Sequence, residues 1–458
     1  MIANVSRFFR NSRLMASLWL IASVGAVSAV SNGVLTNLLP ESQMPELSSI
    51  LDAAMTESDS MRIREISEEL SLGTKKRLAS VGGVKARASL SYRKERDISS
   101  SDDFGDRIFY NFVLTKSIYH WGAVKASRRR GEIANESARL ISFDAYRSLA
   151  LAIRSSYMEL IVLAYEVRVA KMDLDLQESL LEKEATAVEE GNSAADRLTL
   201  AQDSRDRAAL LVLEAESIFE SELASFSFMT GVSSDSLRVS TSNAIPKLQL
   251  LEDDTLSRLT SSVDMALTTS SNLKRLERSA EDADQELALA QSSLKPKLNL
   301  ESGFTQFDLD DRGVRREEEL IYLGVGLSWS IWDGAESRGL AREARSRKEL
   351  VRIQIDQARR SLDSDLQNAR RSIEIAKFNL EIEEKFLARG EDVLAASEQK
   401  FEEKKISQRG LEGAQRGVLK QELKAMRARA RYLNAVAELA SLLGLDPAAL
   451  KYIASREG

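Results

Sequence analysis

Apolar and polar residues alternate with period two in four separate stretches of the chain. From Val84 to Tyr92 the even positions, including Leu90 and Tyr92, are apolar or aromatic, and the odd positions Lys85, Arg87, Ser89 and Ser91 are polar. From Ile108 to Ile118 the even face carries Ile108, Tyr110, Phe112, Leu114 and Ile118, with Lys116 interrupting it. Later, Leu298, Leu300 and Phe304 oppose Lys297, Asn299 and Glu301, and Ile321, Leu323, Val325, Leu327, Trp329 and Ile331 oppose Gly324, Gly326, Ser328 and Ser330. Alternation of this kind predicts strands with one apolar face, over about 84–92, 108–118, 297–305 and 320–331. The stretches between paired strands, Arg93 to Arg107 and Asp308 to Glu319, read as long charged loops.

The remainder follows a helical period and is written twice. Ala123 to Gly231 returns as Ala335 to Gly444. Each copy follows an aromatic strand end and a Gly turn (Trp121-Gly122, Asp333-Gly334), and neither copy contains proline. Each breaks once at small or polar residues, Gly191-Asn192-Ser193 and Lys404-Lys405-Ile406-Ser407. The outgoing helix would reach roughly 100 Å at 1.5 Å per residue. Leu419, Leu423, Met426, Ala430, Leu433, Ala437 and Ala440 form a heptad seam,. Ile373, Leu380, Leu387, Leu394 and Phe401 hold another face, and Leu149, Ile153, Tyr157, Leu160, Leu163 and Val167 do the same in the first copy. All of these read as packing residues. Pro45 to Leu78 and Asp253 to Leu294 read as helix leading into strands, and Ser/Thr/Asn-rich 232–252 as a linker,. The expected fold is mainly α with a small β part: a first repeat over 30–231, the linker, a second repeat over 253–444, and a C-terminal tail, 445–458.

The N-terminus changes where this fold is expected to operate. Arg7, Arg10 and Arg13 precede an apolar run from Leu14 to Val27, and Val27-Ser28-Ala29 supplies small residues for cleavage. Residues 1–29 therefore read as a signal peptide. Beyond them no stretch reads as apolar enough for a transmembrane helix, so membrane entry would have to be as a barrel. On that reading Leu90, Tyr92, Tyr110, Phe112, Leu114, Leu300, Phe304, Leu323, Val325, Leu327 and Trp329 face lipid,. Two soluble hairpins with one buried face would show the same alternation; the export signal favours the barrel. Four strands cannot close alone, since a membrane barrel needs at least about eight. Oligomerisation must complete it, with eight strands in a dimer and twelve in a trimer.

Charge and chemistry narrow the function further. A net charge of −6 gives no reason to expect nucleic acid. With His120 as sole histidine and no cysteine, no metal or cofactor site is expected,. His120 could act as a base, but at a strand-to-helix junction an interfacial role fits it better. Glu189-Glu190 and Asp310-Asp311 could pair for acid/base work or bind calcium, although such clusters are ordinarily solvated. Arg128-Arg129-Arg130 lacks interleaved aromatics and reads as a wetted helical face. The chain reads as a non-enzyme.

A signal peptide, two strand pairs and two long tandem hairpins resemble the TolC family of outer-membrane export channels. The family's hairpin-tip motif is an aromatic, a Gly three residues later, an acidic-Leu pair and an Ala. Those positions hold Val188, Gly191, Arg197-Leu198 and Ala201 in one copy, and Phe401, Lys404, Gly410-Leu411 and Ala414 in the other. The resemblance implies a homotrimer in the cell outer membrane reaching into the periplasm, with a twelve-stranded β-barrel and a twelve-helix α-barrel. It implies docking by a periplasmic adaptor (membrane fusion) protein and an inner-membrane transporter. The docking tips would be Glu190-Gly191-Asn192 and Glu403-Lys404-Lys405, where the family often carries Val-Gly-Leu. The family's aspartate ring at the entrance falls on Gly413, with Asp196 and Glu412 as aperture candidates. The expected role is a passive exit duct for tripartite efflux or type I secretion. The alternative is an exported coiled-coil scaffold or periplasmic adaptor without a pore.

Overall fold

The computed structural model describes residues 37–95, 105–240, 244–248, 250–261, 263–311 and 314–447. The expected signal peptide and most of the tail lie outside these residues. Three helices open the described chain, α1 (Pro40–Gln43), α2 (Pro45–Glu57) and α3 (Asp59–Ala79), and lead into β1 (Val84–Glu95) and β2 (Gly105–Tyr119). The first long hairpin is α4 (Ala123–Glu189) and α5 (Ala195–Thr230). Short helices α6 (Ser234–Ser240), α7 (Asp253–Ser261) and α8 (Val263–Thr269) precede α9 (Ser271–Ser292). The pattern then repeats as β3 (Lys297–Asp311), β4 (Val314–Ser328), α10 (Glu336–Glu402) and α11 (Gln408–Leu442).

Two compact units divide the chain, and α4 and α10 contribute residues to both. The first comprises Met1–Arg64, Phe143–Ser270 and Arg359–Gly458. Its core is built from the helical seams. Ile153, Tyr157 and Leu160 of α4 pack with Leu223 and Phe226 of α5, with Leu47 and Leu51 of α2 and with Leu433 of α11. A second cluster joins Leu366, Ile373 and Leu380 of α10 to Tyr432, Val436 and Leu439 of α11 and to Leu256 and Leu259 of α7. Each such side chain contributes about 1.5–3 kcal/mol by leaving water. The seams weaken toward the hairpin turns, where Leu394 is half-buried and Phe401 is exposed. One described helix, α4, does hold a window apolar enough to cross a membrane, contrary to the expectation above. Just over half of that window is buried, because Ala150 to Val162 supply the core of this unit.

The second unit comprises Glu65–Ser142 and Ser271–Ala358. It holds one antiparallel sheet of four strands in the order β1-β2-β3-β4, so β1 and β4 are open edges. Its helices meet through small residues such as Ala126, Ala283, Ala290 and Ala344, which are all buried.

Several boundaries differ from expectation. Pairing continues through most of what reads as a loop at Asp308 to Glu319, down to Asp311 opposite Val314. Backbone ladders need no apolar alternation to continue, so the alternation rule stops short of the strand ends. Trp329 lies just past β4, and α6 occupies part of the expected linker. Leu445 and Asp446 are buried rather than forming the start of a tail.

Candidate functional site

Register sorts the sheet into two unlike faces. Leu90 pairs with Tyr110, Tyr92 with Ile108, and Ala86 with Leu114. Phe112 pairs with Phe304, which pairs in turn with Ile321. Leu300 pairs with Val325, and Leu298 with Leu327. Directly opposed residues share a face. The ten strand residues expected to face lipid therefore lie together on one side, with Trp329 just beyond the strand end. Leu90, Tyr92, Leu323, Val325 and Leu327 are exposed, and Tyr110 stacks on Phe304 with ring centroids 5.5 Å apart. Lys116, Ser302, Gln306 and Glu319 are polar positions on this side, and the Tyr110 hydroxyl donates to the Glu319 carboxylate.

The opposite face is richer in polar and small residues, Lys85, Arg87, Ser89, Asn111, Thr115, Glu301, Gly303, Gly324 and Gly326, with Phe109, Val113, Leu320 and Tyr322 among them. A Cβ at Gly303 would fall 2.7 Å from the Tyr322 ring, so no larger residue fits beneath that tyrosine without displacing it.

Aromatics cluster where strand gives way to helix. The Trp121 indole donates to the Pro296 carbonyl (2.8 Å), and the Trp329 indole to that of Leu294 (2.9 Å). Tyr119 meets Trp121 edge-on at 5.0 Å, and the Lys295 ammonium lies 5.1 Å from the Trp121 ring. His120 shares a 2.8 Å hydrogen bond with the Asn299 side chain, next to a bulge between Ser117 and Tyr119. Indole and imidazole thus combine an apolar body with a satisfied polar tip, which suits a water-to-apolar boundary.

The hairpin turns are built alike. Gly191 (φ 72°) and Lys404 (φ 57°) both adopt the left-handed conformation. Gly191 N–H donates to Val188 O (3.0 Å) and Asn192 N–H to Ala187 O (2.7 Å); Lys404 N–H donates to Phe401 O (2.9 Å) and Lys405 N–H to Lys400 O (2.7 Å). This pairing of donors closes a helix end in the Schellman manner. Gly191 takes the conformation freely, whereas Lys404 holds it at about 1–2 kcal/mol. Side chains at both turns are exposed. The first turn is net acidic, with Glu189, Glu190 and Asp196 against Arg197; the second is net basic, with Lys400, Lys404, Lys405 and Arg409 against Glu402 and Glu403. Among the aperture candidates, Asp196 sits exposed in the first turn of α5 and Gly413 is exposed. Glu412 accepts from Gln408 at 2.9 Å through one oxygen, and its other oxygen is buried without a partner.

Two charge clusters escape the sequence reading. In the first unit Arg154 is fully buried and bidentate to two carboxylates, Glu41 at 2.6 and 2.8 Å and Asp446 at 2.7 and 2.9 Å. Burial opposes its charge, but the hydrogen bonds to Asp446 and Glu41 outweigh that and raise the guanidinium above its ordinary value. In the second unit Arg129 grips Glu281 (2.6 Å), and Arg130 grips Asp282 (2.8 Å) and Glu286 (2.7 Å). Arg347 and Lys348 reach the same helix at Glu286 and Asp284. The hydrogen bond from Arg129 holds the Glu281 carboxyl below its ordinary value, against the opposing effect of burial. Of the arginine triplet expected on a wetted face, only Arg128 remains exposed, because α9 presents an acidic ridge to the other two. No cluster of metal-ligating side chains occurs among the described residues.

Comparison with known proteins follows these features. Residues 262–445 match the Outer membrane efflux protein family. That match spans most of the second repeat. Similarity of fold to solved structures extends over the first repeat as well. VceC from Vibrio cholerae, an outer membrane protein, shares the fold at a TM-score of 0.66 and 15% identity, over 88% of this chain and 97% of its own. The Campylobacter jejuni CmeC outer membrane channel does so at 0.69 and 14%, over 89% and 88%. The Neisseria gonorrhoeae MtrE outer membrane channel, in its open state, does so at 0.64 and 15%, over 87% and 89%. No curated protein matches the chain by sequence. The described chain thus has the fold of these outer membrane proteins.

Proposed function

We propose that this efflux-family chain is the outer-membrane exit duct of a tripartite efflux or type I secretion system. Three copies would close a twelve-stranded barrel in the membrane, and their helices would line a passive duct through the periplasm. The observation that carries the proposal is a sheet with one largely apolar, exposed face and two open edges. An apolar face accounts for lipid, while open edges in lipid cost several kcal/mol per unsatisfied backbone group. Neighbouring copies satisfy those edges. Exposed apolar side chains on the long helices, such as Leu211, Leu213, Phe228, Phe378 and Val393, offer further surface to those copies.

The exposed turns at Gly191 and Lys404 are where an adaptor and an inner-membrane transporter would engage. Bulky residues there, as in Gly191→Trp with Lys404→Trp, change the docking surface and leave the sheet untouched. In cells that depend on this chain for export, the double variant is expected to lose export. It should still form a heat-modifiable oligomer in the outer membrane. Normal export from a fully assembled double variant would contradict docking at these turns.

A further inference from the structure

We propose that the polar face of the sheet makes the membrane end of the duct selective for anions. The inference rests on the duct reading above. Strand register gathers Lys85, Arg87 and Arg93 of β1 and Lys297 of β3 on this face, and the only carboxylate among its described side chains is Glu301. Among the described side chains the face is therefore net basic, although the whole chain carries −6.

The geometry leaves Lys85 and Arg87 available. Both are exposed and have no ion pair among the described residues. Glu301 folds flat against the sheet, with its carboxylate 3.1–3.3 Å from where a Cβ of Gly326 would stand. In register, Lys85 lies level with Thr115, Glu301 and Gly324, so cation and carboxylate are two strands, or about 10 Å, apart,. That distance is about one Debye length, so neutralisation is partial. One step along, Arg87 lies level with Val113, Gly303 and Tyr322, where there is no carboxylate at all. The glycines on β3 and β4 add no bulk to cover the cations. Closing the barrel would repeat this face in each copy and form rings of positive charge in a wall backed by lipid. Such rings attract anions and repel cations. The chemical class favoured is an anionic solute.

The test is the reversal potential of the full-length assembled protein in a planar bilayer under a potassium chloride gradient. Wild type is expected to pass chloride in preference to potassium. Lys85→Glu with Arg87→Glu should move the permeability ratio severalfold toward potassium while the heat-modifiable oligomer persists. If that pair fails to assemble, Lys85→Gln with Arg87→Gln gives the same readout with a smaller shift. A potassium-preferring wild type, or an unchanged ratio in an assembled variant, would overturn the inference. An assembled wild-type protein that conducts no ions would instead overturn the duct reading on which it rests.

Discussion

Val325→Arg is expected to abolish assembly in the outer membrane. Val325 pairs with Leu300 in the middle of the apolar band and is 61% exposed, with no protein neighbour to shelter a charge there. An arginine facing lipid at the midplane of a barrel costs about 2–4 kcal/mol. A trimer would bear it three times, roughly the whole stability of an ordinary domain. Ser89→Arg is the matched control, since Ser89 lies on the polar face opposite Asn111 and should be tolerated. The readout is the heat-modifiable oligomer in outer-membrane fractions. Equal assembly of the two variants would mean that the apolar band does not meet lipid.

Arg154→Ala should produce the largest loss of stability in the helical unit. Removing the guanidinium takes from Glu41 and Asp446, the latter fully buried, the cation that grips both. Breaking a buried pair in this way costs about 3–5 kcal/mol. The expected result is a clear fall in the thermal midpoint of the helical circular dichroism signal in detergent. Replacing all three partners by apolar residues (Arg154→Met, Glu41→Leu, Asp446→Leu) should recover most of that loss, because no charge is then left buried. An Arg154→Ala protein as stable as wild type would show that the triad does not fasten these segments together.

What the sequence made legible was whatever depends on period and backbone. Alternation located all four strands and the residues that share a face, and seams such as Met426, Ala430 and Leu433 correctly marked buried positions. The breaks at Gly191 and Lys404 were visible because helical periodicity stops there, even though a lysine occupies a position that favours glycine. Pairings between distant segments were not legible. Nothing in the local sequence links Arg154 to Glu41 and Asp446, or Arg129 and Arg130 to an acidic ridge on α9; both depend on how helices are brought together. The outer ends of β3 and β4 were missed for the reverse reason, since a backbone ladder needs no hydrophobic pattern to continue. The basic face of the sheet was half visible: the odd-numbered cations of β1 stood in the alternation, but only register shows that Glu301 is the one carboxylate opposing them among the described side chains.

The native mass of the detergent-extracted protein tests the central claim most directly, because a four-stranded sheet with two bare edges cannot persist in lipid as one subunit. The proposed duct predicts a particle of three copies that needs detergent to stay dispersed. A monodisperse single-subunit particle, stable in plain buffer, would contradict it.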